Sequence, residues 1–338
     1  MKKSAFTAAL LAAAVAAALL AGASSARQTA SLQGAGSSFV FPLVSQWTSH
    51  YDAAHVSYNP VGSGAGIAAI SNRSVDFGAS DAPLTKDQAA GCKGCVQIPW
   101  ALSATSVMYK LDNADPHLRI SGKVLSNVFL GSIRYWDDAQ LKKLNPGKTL
   151  PHTKITPIFR SDASGTTFNF TDYLSSSSPA FRSKVGNSTQ VSFPVGVGGK
   201  GSSGVSAVLA QTNGGIAYAD VAYAIKNHFA FFRVQNKAGK YILPGNAAIA
   251  AAASTVKKVP ASNAISIVNP PKSKKTAYPI CTFTYVIIPT QTSNAASVRS
   301  FVFWALTKGQ TYGPPLRFVP VPKPVLVAAE KTLKKVHS

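Results

Sequence analysis

The sequence predicts an α/β fold with mostly parallel sheets flanked by helices. Segments with the period-2 alternation of strands recur along the chain and are separated by helix-like segments. Several strand-like segments run directly into loops rich in glycine and serine. With 46% apolar and 14% charged residues, the 338-residue chain can bury a substantial core, and it exceeds one typical domain. Two lobes are therefore expected, with a ligand crevice beyond the carboxyl ends of strands.

Residues 1–26 have the pattern of a secretory signal peptide. Lys2 and Lys3 precede an alanine- and leucine-rich stretch, and small residues follow up to Ala26. An uncleaved membrane anchor is the alternative, but the apolar stretch is short for a membrane span. Ala23 stands where a lipoprotein signal requires cysteine. We therefore predict export with cleavage after Ala26 and no lipid anchor of that kind.

The charge balance is strongly basic, with 34 lysines and arginines, 12 acidic residues and a net charge of +22. Nucleic-acid binding, adhesion to an anionic surface and attraction of small anions are all compatible with this excess. The densest clusters, 272–275 and 331–335, are short and lack interleaved aromatic residues for base stacking. A dedicated nucleic-acid site is therefore not predicted. Because acids are scarce, a carboxylate in a glycine- and serine-rich loop is informative.

Three junctions between a strand, a loop and the following segment are predicted before residue 90. The first strand begins at Ser31 and leads into the loop 34–39. The second strand, 56–61, leads into the loop 62–66, and the third, 75–79, leads into Ser80 and Asp81. This order places Ser38, Phe39 and Ser63 at helix N-termini and Asp81 at a strand end. Thr85 and Gln88 have the spacing of a capping box. A tight turn, a helix cap and a solvated turn aspartate are the structural alternatives for these loops.

The cysteine pattern predicts one disulfide. Cys92 and Cys95 could close a small loop in an oxidising compartment, whereas Cys281 lies in an apolar run and is expected to be buried and unpaired. A CxxC pair can also be redox-active or bind metal. A redox pair usually opens a helix, but 96–99 looks extended. No second pair and no nearby histidine is present, so no metal site is predicted.

The most informative run is Arg160-Ser-Asp-Ala-Ser-Gly-Thr-Thr167. It lies between a strand-like segment, 155–159, and a segment in which Phe168, Tyr173 and Leu174 indicate a helix with an apolar face, so the glycine and hydroxyls fall at the helix N-terminus. Backbone N–H groups at such a helix N-terminus favour an anion, and Gly165 permits close approach. Ser164 and Thr166 add hydroxyl donors, while Asp162 can hold the guanidinium of Arg160 in place. A capped helix beside a surface arginine is the alternative.

The later chain predicts further alternating elements. Helices are expected around Val124 to Leu130, Leu141 to Leu144, Val205 to Leu209, Ala247 to Ala253 and Ser297 to Ala305, and strands at Ser106 to Tyr109 and Tyr278 to Ile288. Residues 175–178 are predicted as a polar loop and the proline-rich 314–324 as an extended connection. The glycine-rich stretch 195–201 lacks the spacing of a nucleotide-binding P-loop.

Taken in order, the motifs resemble one family. They are GAGSSF at 34–39, VGSGAG at 61–66, VDFGASDAPLT at 75–85, YWDD at 135–138, LNPG at 144–147, RSDASGTT at 160–167, GGKG at 198–201 and GGIAY at 214–218. Each is weak alone, but in this order they are specific. The chain resembles the periplasmic phosphate-binding proteins of the bacterial phosphate-uptake ABC transporter, which have the class II periplasmic-binding-protein fold.

The resemblance implies a two-lobed fold with the ligand in the interlobe cleft. Lobe 1 would comprise 27–106 and 280–338, and lobe 2 would comprise 107–279. The implied phosphate ligands are Ser38, the backbone of Phe39, Ser63, Asp81, Arg160, Ser164, Gly165 and Thr166, with Asp162 orienting Arg160. It also implies a periplasmic location and permease subunits as partners. We further expect a monomer with no catalytic residue and no cofactor.

Two other classes of function remain open on the sequence. A secreted phosphoesterase could use Ser164 as its nucleophile, because oxyanion sites also stabilise phosphoryl transition states. A basic surface adhesin would bind polyanions with a steep dependence on salt. A binding protein for another oxyanion, such as arsenate, is a variant of the leading hypothesis. Ser38 stands where threonine is frequent in the family and preserves the hydroxyl.

Overall fold

The computed structural model describes residues 31–338, so the predicted signal peptide at 1–26 lies outside the described residues. The strands are β1 Ser31–Gly36, β2 His55–Asn59, β3 Phe77–Ser80, β4 Cys95–Lys110, β5 Arg119–Ile120, β6 Thr156–Arg160, β7 Val197–Gly199, β8 Gly215–Asp220, β9 Ala230–Phe231, β10 Arg233–Gln235, β11 Tyr241–Ile242 and β12 Cys281–Pro289. Helices flank these strands, which confirms the predicted α/β class.

Twelve α-helices and two short 3₁₀ segments lie in the described chain. The helices are α1 Phe41–His50, α2 Ser63–Ser71, α3 Lys86–Gly91, α4 Gly122–Phe129, α5 Ala139–Leu144, α6 Gly165–Ser177, α7 Pro179–Lys184, α8 Gly201–Ala210, α9 Val221–Lys226, α10 Asn246–Ala253, α11 Ala295–Leu306 and α12 Lys323–Leu333. The 3₁₀ segments are Lys308–Tyr312 and Pro314–Leu316. Within residues 31–338, no helix is both long enough and apolar enough to cross a membrane.

One nine-stranded sheet runs through the molecule in the order β2-β1-β3-β12-β4-β8-β6-β7, with β9 paired to β4. Pairing is parallel among β1, β2 and β3 and again among β6, β7 and β8. It is antiparallel where β12 meets β3 and β4, and where β4 meets β8. The sheet is therefore mixed: the parallel pairing predicted from sequence holds in its outer parts, and its two long central strands run antiparallel to their neighbours.

Strand β4 connects the two halves of the sheet. Its residues 95–104 pair with β12, and Thr105 to Lys110 pair with β8. Strands β11, β10 and β5 form a second, small sheet. Each half has its own aromatic packing: the rings of Trp47 and Trp100 are 4.9 Å apart in one half, and those of Phe129 and Phe170 are 4.9 Å apart in the other.

Helix ends follow local chemistry. Thr85 caps α3 with the predicted capping box, in which its hydroxyl accepts from the Gln88 N–H and its own N–H donates to the Gln88 side chain. The predicted loop at 175–178 is wrong, because α6 continues to Ser177. Ser176 and Ser177 donate their hydroxyls to the carbonyl of Tyr173 instead of breaking the helix.

The proline-rich segment 314–324 is not simply extended. It contains the 3₁₀ turn Pro314–Leu316 and the first residues of α12, with proline in the first helical turn. Proline is tolerated there because the first N–H groups of a helix have no intrahelical partner. Helix α12 itself was not predicted; it packs Val325, Ala329 and Leu333 into the core.

Candidate functional site

The predicted ligand residues meet at one buried place between the two halves of the sheet. Loops after β1 and β3 and the start of α2 approach from one half, and the loop after β6 and the start of α6 approach from the other. All eight residues are buried: Ser38, Phe39, Ser63, Asp81, Arg160, Ser164, Gly165 and Thr166. The structure therefore brings together side chains that are up to 128 residues apart, from Ser38 to Thr166.

Helix α6 begins where the sequence predicts it. The Ser164 hydroxyl accepts a 3.3 Å hydrogen bond from the Thr167 N–H and so caps the helix. The next residue, Gly165, donates its N–H to the Ser63 hydroxyl at 3.1 Å. The positive end of α6 is thus directed at Ser63 in the other half.

Gly165 lies where no other residue fits without displacement. A Cβ atom added there would lie 2.6 Å from the Ala82 backbone nitrogen and 2.7 Å from the Asp81 backbone. Asn169, one turn along α6, donates its side-chain amide to both the Asp81 and the Gly165 carbonyls at 2.8 Å. The two halves therefore approach each other at backbone distance along this edge of the site.

Arg160 is held rigidly at the end of β6. Its Nε donates to Oδ1 of Asp162 at 2.8 Å and its Nη2 donates to Oδ2 at 2.5 Å, and the Arg160 side chain is only 2% exposed. Asp162 also accepts the Gly201 N–H at 2.9 Å. This two-point pairing leaves Nη1, which lies 3.5 Å from the Thr166 hydroxyl, to face a ligand.

Asp162 stays charged in this arrangement. Burial opposes its ionisation, but its hydrogen bonds and the positive charge of Arg160 outweigh that effect and hold the pKa of Asp162 below its usual value. The charge of Arg160 is therefore largely matched by Asp162 before any ligand is considered.

Asp81 is the second carboxylate of the site and is 1% exposed. Burial raises the pKa of Asp81 to about 6, although the hydroxyls of Ser37, Thr284 and Ser63 and the charge of Arg160 act in the opposite direction. Ser37 donates to Oδ1 at 2.5 Å and Thr284 donates to the same oxygen at 2.9 Å. Because both donors use Oδ1, Oδ2 is left for a further hydrogen-bond donor.

The serine side chains connect the two halves. Ser63 accepts N–H groups from Asp81 at 3.3 Å and from Gly165 at 3.1 Å, which leaves its own hydrogen for the Asp81 carboxylate, whose pKa it lowers, or for a ligand. The Ser38 hydroxyl accepts the Ser202 N–H at 3.0 Å, which joins the loop after β1 to the start of α8. The Phe39 N–H donates to the Ser37 hydroxyl at 3.0 Å in this structure.

Four contributors to the site escaped the sequence analysis: Ser37, Asn169, Ser202 and Thr284. The sequence does contain a signal for Thr284, because Thr282 and Thr284 interrupt the apolar run of β12 at alternate positions. Ser37 precedes the predicted Ser38 in the same loop. Asn169 and Ser202 follow motifs that were recognised, but their contacts run across the molecule and leave no local pattern.

Away from this site, the structure joins Cys92 to Cys95 in a disulfide, and Cys281 is a buried free thiol. Residues 31–338 contain no group of three or more histidine, cysteine, aspartate or glutamate side chains placed to hold a metal ion.

The site can accept a small anion chiefly through neutral donors. Arg160, Asp162 and Asp81 together carry no positive excess, so hydroxyls, backbone N–H groups and the end of α6 supply most of the attraction. Oδ2 of Asp81 requires a ligand that brings its own hydrogen, because a carboxylate repels an unprotonated anion oxygen. A protonated oxyanion meets both conditions.

Known proteins match this chain over most of its length. The family model of the PBP superfamily domain matches residues 21–308. The phosphate-binding protein PstS of Xylella fastidiosa (strain Temecula1) is 40% identical over 307 residues, which cover 88% of this chain and 84% of that protein. PstS of Haemophilus influenzae is 36% identical, covering 88% of this chain and 91% of that protein.

Solved structures show the same fold. A phosphate-binding protein from Stenotrophomonas maltophilia superposes with a TM-score of 0.70 at 20% identity, covering 89% of this chain and 93% of that one. This likeness supports the class II periplasmic-binding-protein fold predicted from the motifs. The family model and the extent of the sequence matches place this chain in the PBP superfamily and, within it, in the PstS family of phosphate-binding proteins.

Proposed function

We propose that this protein binds inorganic phosphate outside the cytoplasmic membrane and delivers it to the permease of a phosphate-specific ABC transporter. The proposal rests on one observation above all: a fixed, buried guanidinium at Arg160 and a buried carboxylate at Asp81 share one site. Its family relatives carry the name phosphate-binding protein. The ligands would be the eight predicted residues, with Asp162 orienting Arg160.

The presence of Asp81 beside Arg160 explains how phosphate would be selected over sulfate. Phosphate near neutral pH carries at least one proton, which it can donate to Oδ2 of Asp81. Sulfate carries none, so its oxygen would face the buried carboxylate without a hydrogen between them. An unpaired buried acceptor and the repulsion between like charges would cost sulfate several kcal/mol, on the order of 3.

The lobe boundaries stay a proposal: 27–106 with 280–338 against 107–279. The first boundary falls within β4 and the second lies just before β12. Hydrogen bonds such as those from Gly165 to Ser63 and from Ser202 to Ser38 join the proposed lobes beside the site. Ligand-dependent closure along these contacts would be the signal that the permease reads.

The cellular setting also belongs to the proposal. The signal peptide predicted at 1–26 supports export to the periplasm without a lipid anchor. The protein would act there as a monomer, and the permease subunits would be its partners. Residues 1–26 contribute only Lys2 and Lys3 to the chain's net charge of +22, so the exported protein would remain basic and draw phosphate toward its surface in general.

Binding is favoured over catalysis at this site. The Ser164 hydroxyl is engaged as the cap of α6, and within residues 31–338 no histidine, lysine or carboxylate is hydrogen-bonded to it as an activating base. A phosphoesterase would need such a base. Arsenate has the same shape and protonation as phosphate, so the geometry predicts that it competes.

Calorimetric titration of ligand-stripped protein at 150 mM NaCl tests the proposal. We expect about one equivalent of phosphate to bind, sulfate to give little heat, and Arg160→Ala to abolish phosphate binding. Arg134→Ala removes the same charge from an exposed site and should bind like the wild type. Hydrolysis of an activated phosphate ester should be absent. A wild-type protein that ignores phosphate, or an Arg160→Ala variant that still binds it well, would overturn the assignment.

A further inference from the structure

The small sheet carries a second concentration of charge, well separated in sequence from the proposed phosphate ligands. Strands β5 and β10 pair in parallel with Arg119 opposite Arg233, so the two arginines extend from the same face. The neighbouring pair, Ile120 and Val234, lies on the opposite face and is fully buried. Two like charges therefore occupy directly opposite positions on neighbouring strands, an arrangement that destabilises a sheet.

No acid in the described chain neutralises this pair. Neither Arg119 nor Arg233 makes a salt bridge or a side-chain hydrogen bond within residues 31–338, although the Arg119 guanidinium lies 5.6 Å from the centre of the Tyr241 ring. The nearby carboxylate of Asp115 is already paired with Lys148 at 2.5 Å. The repulsion across the strands is therefore left without an internal counter-ion.

The same residues line a cavity of about 320 Å³. Its walls are the two arginines, the turn before β5 and the loop after α5, and they include Asp115, His117, Asn145 and Lys148. Three cationic residues and one acidic residue thus line a space near the lower limit of small-ligand sites. The buried Asn145 side chain fixes the loop by bonding both the N–H and the carbonyl of Arg119.

We propose that this cavity is a second anion site, which takes a small oxyanion bearing two or more negative charges, of the diphosphate class. Two guanidinium forks on adjacent strands can each grip a pair of oxygens, and a multivalent anion between them would turn the cross-strand repulsion into attraction. Lys148, which pairs with Asp115 in this structure, would supply a third contact by turning to the anion. The site shares no residue with the proposed phosphate site.

Inorganic pyrophosphate is the probe, and the Arg160→Ala protein is the background, so that the proposed phosphate site does not contribute. At 150 mM NaCl, where exposed charges are screened beyond about 8 Å, titration should show about one saturable equivalent. Arg119→Gln/Arg233→Gln should weaken it at least tenfold, and Lys148→Gln alone several-fold. Arg134→Gln/Arg299→Gln removes the same charge from exposed positions and should change it less than twofold.

Thermal unfolding supplies a second readout. Pyrophosphate should raise the melting temperature of the Arg160→Ala protein but not of the version that also lacks both arginines, and Arg233→Gln alone should raise the melting temperature in pyrophosphate-free buffer. The proposal is overturned if pyrophosphate shows no saturable binding at this salt concentration, or if the control pair weakens binding as much as the cavity pair. Either result leaves the assignment of the phosphate site untouched, because that assignment is tested by phosphate and Arg160.

Discussion

Thr284 donates a 2.9 Å hydrogen bond to Oδ1 of Asp81, across 203 residues of sequence. Thr284 lies on β12, and Asp81 directly follows β3, its antiparallel neighbour. Together with Ser37, this threonine occupies one oxygen of the carboxylate and thereby turns the other toward the proposed ligand. The orientation of the selective group thus depends on the central strand of the sheet.

Replacing Thr284 with valine removes this donor at nearly constant volume. We expect phosphate affinity to fall roughly tenfold, or about 1.4 kcal/mol, because Asp81 loses the bond that fixes its orientation. Thr282→Val is the matched control: Thr282 faces the same way on β12 but donates to the backbone carbonyl of Asp81. Calorimetric titration of both variants with phosphate tests this prediction. Equal losses of phosphate affinity in the two variants would argue against a role for the orientation of the Asp81 carboxylate.

Sulfate binding should depend on pH. With the pKa of Asp81 near 6, the protonated carboxyl that can donate to sulfate becomes roughly 30-fold more populated between pH 7.5 and pH 5. The affinity of wild-type protein for sulfate should rise by a similar factor over that interval. Asp81→Asn carries a permanent donor, so it should bind sulfate with little dependence on pH. A flat wild-type profile would contradict the assigned role of Asp81.

The titration of Asp81 should also make the free energy of unfolding depend on pH. Burial raises its pKa in the folded state to about 6, above roughly 3.9 in the unfolded chain, so the folded state binds more protons between these values. Its contribution is greatest below pH 4 and is lost as pH rises to 6, on the order of 3 kcal/mol. The free energy of unfolding of phosphate-free protein, measured with urea, should therefore fall less from pH 4 to pH 6 in Asp81→Asn than in the wild type.

The wild type must be compared with Asp81→Asn because burial also raises the pKa of Asp220, so Asp220 too makes the folded state less stable as the pH rises. Asp52→Asn, an exposed carboxylate, serves as the control and should follow the wild-type slope. If wild type and Asp81→Asn lose stability in parallel from pH 4 to pH 6, Asp81 does not titrate in this range.

Gly165→Ala tests the close approach of the two halves. The new methyl group would lie within 2.7 Å of the Asp81 and Ala82 backbones, so the halves must separate by several tenths of an ångström. We expect phosphate affinity to fall at least 100-fold with little change in helix content. Gly91→Ala adds the same methyl group where nothing lies within 4 Å and should bind normally. X-ray scattering with phosphate should show a larger radius of gyration for Gly165→Ala alone.

Much of the site was predictable because its chemistry is local. Glycine and serine after a strand, a capping serine and an arginine two residues before an aspartate are short-range patterns, and they correctly located the start of α6 and the pairing of Arg160 with Asp162. The capping box at Thr85 is predictable for the same reason. Local errors arose where one residue type has two uses, as with the serines that extend α6 and the proline that begins α12.

The sequence by itself determined the α/β alternation, the family and the eight predicted residues that meet at the candidate site. Tertiary structure alone decided that Ser37 and Thr284 share one oxygen of Asp81, that Gly165 lies against the Asp81 backbone, and that Arg119 lies opposite Arg233. Helix caps and turns are set by neighbours a few residues away, whereas these contacts depend on strand order and register. Register is fixed by the packing of the whole sheet, which no short stretch of sequence encodes.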